Sequence, residues 1–155
     1  MFKRALAISI LGLLVAAVQA ADSGASFFAP PGADPKTSPP FSNAVMVDGT
    51  YYVAGHLGLD PASGKAGSDA ETEARLVMDA VKQTLERGGL TMGDLVSVTV
   101  YCTDLDLYDK FNAVYRGYFH EHYPARAFIG VAKLVRGAHF EVAGVAHKLK
   151  APGKP

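Results

Sequence analysis

The chain is poor in the residues that build several familiar kinds of site. Cys102 is its one cysteine in 155 residues, so no internal disulfide and no cysteine-based zinc cluster can form. Neither sign of charge is in excess, with 15 Lys plus Arg against 15 Asp plus Glu. Nucleic-acid binders draw much of their affinity from clustered basic residues, so this balance argues against a nucleic-acid partner. There is no Gly-x-Ser-x-Gly elbow, no P-loop and no dinucleotide-binding glycine pattern. Histidine is scarce, at five residues. His120 and His122 flank Glu121, but no spacing supplies a third ligand, and the trio reads as polar surface at a helix end. No metal is expected.

What remains is ordinary for a folded domain. Hydrophobic residues make up 49% and charged residues 19% of the chain, which excludes a disordered protein. The length suits one domain. The first twenty residues read as an address. Lys3 and Arg4 precede an uncharged stretch, residues 5–18, in which Ser9 alone is polar. Ala20 then stands before Ala21-Asp22, with Val18 two places earlier. This is the layout of a secretory signal peptide cleaved after Ala20. The apolar stretch is shorter than the roughly 20 residues that span a bilayer, which weighs against the other reading, a permanent membrane anchor. Cleavage removes two basic residues and leaves a net charge of about −2. The destination is then the periplasm or the medium. There a lone thiol is tolerated if buried, and Cys102 sits in an apolar strand pattern that fits burial.

Residues 21–40 are rich in Ser, Ala, Gly and Pro and read as a flexible or extended lead-in. Structure is expected from Phe41 to residue 149, with a loose tail at 150–155. Val45, Val47 and residues 51–54 flank Asp48-Gly49-Thr50, a hairpin signal. Ser68-Asp69-Ala70-Glu71 has capping-box spacing, and Ala74, Val77, Val81 and Leu85 follow at helical intervals until Gly88-Gly89. Residues 95–103 alternate as a strand. Leu107, Phe111, Val114, Tyr115 and Tyr118 mark a second helix, with Asp106 as its expected cap. Residues 127–134 and 140–147 read as two further strands around Arg136-Gly137. The order β-β-α-β-α-β-β is an α+β layout.

Two helices can cover one side of such a sheet. Yet the late strands are apolar on both faces. Phe128 and Ala132 oppose Ala127, Ile129 and Val131, and Phe140 and Val142 oppose Ala143 and Val145. A second apolar face left in water would be an association-prone patch, so burial against another copy of the chain is expected.

Four separated motifs resemble one family. Pro40-Phe41-Ser42-Asn43-Ala44 and Tyr52-Val53-Ala54-Gly55-His56 look like the opening hairpin of the RidA/YjgF family. Phe111-Asn112-Ala113-Val114-Tyr115, with Tyr118-Phe119 after it, resembles its second helix. Pro124-Ala125-Arg126-Ala127, then Val131-Ala132-Lys133-Leu134 and Glu141-Val142-Ala143, resemble its C-terminal arginine-led strand and final strand. The similarity spans residues 40–148. It implies a chorismate-mutase-like two-layer fold, with two helices on one face of a mixed sheet, assembled as a homotrimer with clefts between subunits. It also implies an activity: hydrolysis of reactive 2-imino or enamino acids to 2-keto acids and ammonia, with no metal or organic cofactor.

Arg126 matches the family's signature arginine, whose guanidinium offers paired donors to a substrate carboxylate. Gly55 matches a glycine where backbone approaches the ligand, and Asn112 matches an asparagine near the cleft. Ser42 and Asn43 lie in the opening motif and border the expected pocket. Three positions depart from the family pattern. Phe41 stands where deaminating members have tyrosine, and Phe128 where they often have cysteine. Ala143 stands where they place a glutamate that orients water, and alanine can neither accept nor relay a proton. Glu141 and His139, at two-residue steps, are expected on the same strand face as Ala143. Glu141 is displaced by roughly 6–7 Å, two residue rises, too far for a simple exchange. The alternative to an enzyme is a non-catalytic module of this fold that binds a small carboxylate or a protein partner.

Overall fold

Asp48 and Gly49 both take left-handed backbone, with φ of 49° and 76°, which forms the tight turn that right-twisted strands prefer. In the computed structural model, which describes residues 24–34 and 36–148, this turn joins β2 (Ala44–Val47) to β3 (Thr50–Leu57). The helix α1 (Ala70–Arg87) follows, its first turn held by the Asp69 carboxylate, which accepts from the Glu71 and Thr72 N–H groups. Then come β4 (Leu95–Cys102), α2 (Tyr108–Tyr115), β5 (Ala125–Gly130) and β6 (Phe140–His147). With a short first strand, β1 (Ser26–Phe28), at one edge, the sheet order is β1-β2-β3-β6-β4-β5. β4 and β5 run parallel and every other pair antiparallel, so the sheet is mixed. Two helices pack on one face of it, giving the expected two-layer α+β architecture.

Several sequence expectations are corrected. The lead-in is not wholly irregular: β1 (Ser26–Phe28) pairs antiparallel with β2. The proline-rich stretch after it masks it in the sequence, and what fixes it is tertiary, the Phe28 ring packing edge-on against buried Tyr51 at 5.0 Å. Asp106 does not cap the second helix. Asp104 instead caps a short 3-10 turn at Leu105–Leu107 that leads into α2, accepting the Asp106 N–H, and α2 itself has no side-chain cap. β5 begins two residues earlier than expected and stops at Gly130. Its register against β4 ends at Cys102↔Gly130, so Ala132 has no strand partner and is exposed. The segments read as a signal peptide and as a tail lie outside the described residues.

The core lies between the sheet's helical face and α1 and α2. Tyr51, Val98, Val100, Phe140 and Val142 from the sheet meet Val77, Met78, Val81 and Leu85 of α1 and Phe111 of α2, all essentially inaccessible. Tyr51 donates to the Thr84 carbonyl at 2.8 Å, and His56 lies 3.0 Å from the Thr84 hydroxyl, so α1 is tied to β3 by polar contacts too. Glu73, wholly buried in α1, receives the Phe140 N–H at 2.8 Å and faces His139 Nδ1 at 2.9 Å. His139 therefore turns toward α1 and does not join Glu141 and Ala143 on the opposite face. That opposite face carries Tyr52, Ala127, Ile129, Ala143 and Val145 and no element of the described chain covers it. Tyr52 is 52% and Ile129 42% exposed, as face counting anticipated.

Candidate active site

The register of β5 decides where Arg126 points. Arg126 is paired with Val98 and Phe128 with Val100, and both partners belong to the helical face. Arg126 therefore meets α2, which presents Tyr108, Asn112 and Tyr115 at positions i, i+4 and i+7 along one stripe. The Arg126 guanidinium donates to Asn112 Oδ1 at 2.8 Å. It lies over the Tyr115 ring at 4.5 Å from the centroid, with the Tyr108 and Phe128 rings at 5.8 and 5.7 Å. Three aromatic faces and one amide thus hold a half-buried cation in a single orientation. Among the described residues no ion pair engages it, so its remaining N–H donors have no carboxylate partner.

A cavity of about 220 Å³ opens beside this guanidinium, lined by Arg126, Asn112, Tyr108, Tyr115, Tyr123 and Arg116. Tyr115 and Tyr123 stack, with centroids 6.4 Å apart and planes 17° from parallel. Burial pushes the Tyr115 hydroxyl up to about 12, the nearby Arg126 charge lowering it and Tyr123 raising it further, so the phenol keeps its proton. That hydroxyl is buried and has no hydrogen-bond partner among the described residues. Tyr108, Tyr115 and Tyr123 are the members that sequence reasoning missed. The stripe spacing carries the signal, but the same spacing marks Tyr115 as an apolar helix-face residue.

The other expected site residues are placed differently. Phe128 packs edge-on against Tyr108 and Phe111 and backs the guanidinium without lining the cavity. Gly55 sits on β3, and an added Cβ there would overlap the Glu141 carboxylate. Between β3 and β5 lie β6 and β4, so within one protomer Gly55 and Arg126 are three strand spacings apart, roughly 14 Å. Phe41 is 55% exposed and lines a separate hollow beside Pro30 and Pro40. Asn43 donates its N–H to the Phe28 carbonyl and accepts from the Ala54 N–H, so its backbone serves the sheet. Ala143 opposes Thr99 and Glu141 opposes Tyr101, both on the uncovered face. His122 donates to the Gly93 carbonyl at 3.1 Å, and no cluster of three metal-ligating side chains occurs among the described residues. No helix of the described residues is long and apolar enough to cross a membrane.

Known proteins bear on this arrangement. A family model described as endoribonuclease L-PSP matches residues 32–148, which contain the arginine, the helix stripe and the strands that carry them. The chain belongs to the RidA/YjgF family. Within it, the chain is 37% identical over 109 residues to a human 2-iminobutanoate/2-iminopropanoate deaminase, covering 69% of this chain and 79% of that one. Solved structures of RidA/YjgF relatives superimpose closely. The YjgF gene product of Escherichia coli gives a TM-score of 0.71 at 30% identity, covering 80% of this chain and 99% of that one. Escherichia coli TdcF, solved with bound serine, gives 0.68 at 30% identity over 72% and 91%.

Proposed function

We propose that the chain hydrolyses reactive 2-imino or enamino acids, R–C(=NH)–COO⁻ plus water giving R–CO–COO⁻ plus ammonia. The observation that carries this reading is a guanidinium held by Asn112 and Tyr115 at a small cavity, with no carboxylate partner among the described residues. An imino acid supplies the missing carboxylate next to its C=N bond. A bidentate pair with Arg126 would fix the imine carbon for attack by water. The names of the human relative and of a reactive-intermediate deaminase of Escherichia coli, 31% identical, support the same chemistry. The proposed partner is a small carboxylate, not a nucleic acid. Backbone groups near Gly55 would complete the site only from a second subunit, because within one protomer that strand is remote from Arg126. The uncovered apolar face supports such an assembly, a homotrimer by family likeness. Sedimentation of the mature protein tests it, and a monomer at micromolar concentration overturns it. Export is part of the proposal, tested by N-terminal sequencing of protein recovered from the periplasm or medium, which should begin at Ala21.

The activity test generates 2-iminopropanoate in situ with an amino-acid oxidase and traps it with semicarbazide. The protein should lower semicarbazone formation, and Arg126→Ala should abolish the effect. Equal traces with and without wild-type protein reject the enzyme reading for that substrate.

One observation favours a second reading, a binding module that has lost hydrolysis. Ala143 leaves no acid where the family orients water, and Glu141 is held over Gly55, two residues away. If Ala143→Glu alone brings activity, the natural chain is a binder.

A further inference from the structure

The cavity beside Arg126 has a second cationic wall. Arg116 follows the last residue of α2 and lines the same hollow, while no Asp or Glu among the described residues does. The ion pairs among the described residues are Arg75–Glu71, Lys82–Glu86 and His139–Glu73, so neither Arg116 nor Arg126 is neutralised by them. Two guanidinium groups facing one small hollow without a counter-charge repel each other and attract anions. One monocarboxylate would satisfy one of them. The hollow, at about 220 Å³, is below the ~300–1,000 Å³ of sites for drug-sized ligands, so a second anion must come from the same small molecule. The stacked Tyr115 and Tyr123 rings give flat apolar walls for a short carbon chain.

We infer that this cavity is a two-anion subsite, and that the preferred ligand is a small 2-imino or 2-keto dicarboxylic acid. Arg126 takes the carboxylate next to the C=N or C=O carbon, and Arg116 takes the distal one. The inference rests on the deaminase reading for the identity of the reacting group. Its charge argument concerns binding and is tested separately. Arg116 is exposed and Arg126 half-buried, so the two contribute unequally: Arg126 governs affinity and Arg116 governs the choice between diacids and monoacids.

Titration calorimetry of the full mature chain with 2-oxoglutarate and with 2-oxobutanoate tests this without requiring turnover. The diacid should bind about tenfold more tightly, the scale of one charge-assisted hydrogen bond. Arg116→Gln should remove that difference, and Arg126→Gln should weaken both ligands. Equal binding of the two acids, no binding of either, or a preference that survives Arg116→Gln overturns the subsite. The deaminase reading fails by a different result, an unchanged semicarbazone trace with imines made from both alanine and aspartate. Diacid-selective binding without turnover would leave the subsite standing and remove hydrolysis. Turnover without diacid preference would do the reverse.

Discussion

Arg126 and Asn112 meet at 2.8 Å from opposite layers of the molecule, strand β5 and helix α2, and that contact sets the guanidinium's orientation above Tyr115. Removing it frees a long side chain that must be ordered again on binding. Asn112→Ala should raise KM about tenfold with little change in kcat, the scale of a single hydrogen bond from a charged donor, about 1.5 kcal/mol. Asn112→Asp should be worse than alanine, because a carboxylate there would pair with Arg126 and compete with the substrate. Steady-state kinetics of both variants check the order. An aspartate variant that matches wild type would contradict the anchoring role.

Gly58 and Gly55 should respond differently to the same change. A Cβ at Gly58 would run into the backbone carbonyl of Glu73, which cannot move without shifting α1. At Gly55 the obstacle is the far end of the Glu141 side chain, which can swing away. Gly58→Ala should cost about 1–3 kcal/mol, the range for overpacking, and Gly55→Ala less than about 1 kcal/mol. Urea denaturation midpoints measure both.

Asp69 makes the stability of α1 sensitive to acid. Hydrogen bonds from the Thr72 N–H and hydroxyl, then from Ser68, hold its carboxyl down at about 2. A depressed value in the folded state means the stabilisation is complete above the ordinary carboxylate range near 4 and fades as pH falls toward 2. Asp69→Ala should therefore melt below wild type at pH 7, and the two should converge near pH 2. A gap that persists at pH 2 would show that the cap does not act through its charge.

Cys102 should be chemically silent in the native state. Its thiol is fully buried and donates to the Asp104 carbonyl at 3.0 Å, and burial pushes its pKa up. A thiol reagent such as DTNB should give no reaction with folded protein and one equivalent after denaturation. Rapid native labelling would mean that β4 opens easily.

Alternation and turn chemistry carried most of the architecture. Asp48-Gly49 specified the first hairpin because its two residues tolerate positive φ, and the apolar stripes of α1 and α2 named the faces they bury. β1 was not legible, since its pairing depends on Phe28 reaching Tyr51 across the chain. The end of β5 was not legible either, because a strand stops where its neighbour does, and Cys102 is far away in sequence. Glu73 carries no sign of burial in the sequence. Its burial follows from the N–H groups that β6 brings to it, which no local pattern records.

The sequence by itself determined the α+β element order, the resemblance carried by Arg126 and Asn112, and the absence of an acid at position 143. Those are matters of residue type and spacing along one chain. Only the tertiary structure decided that Arg126 turns inward to the aromatic stripe of α2, that Arg116 faces the same hollow, and that Gly55 lies on a strand too distant to share it. Side-chain direction on a strand depends on register with its neighbours. A shift of one residue would have put Arg126 on the uncovered face.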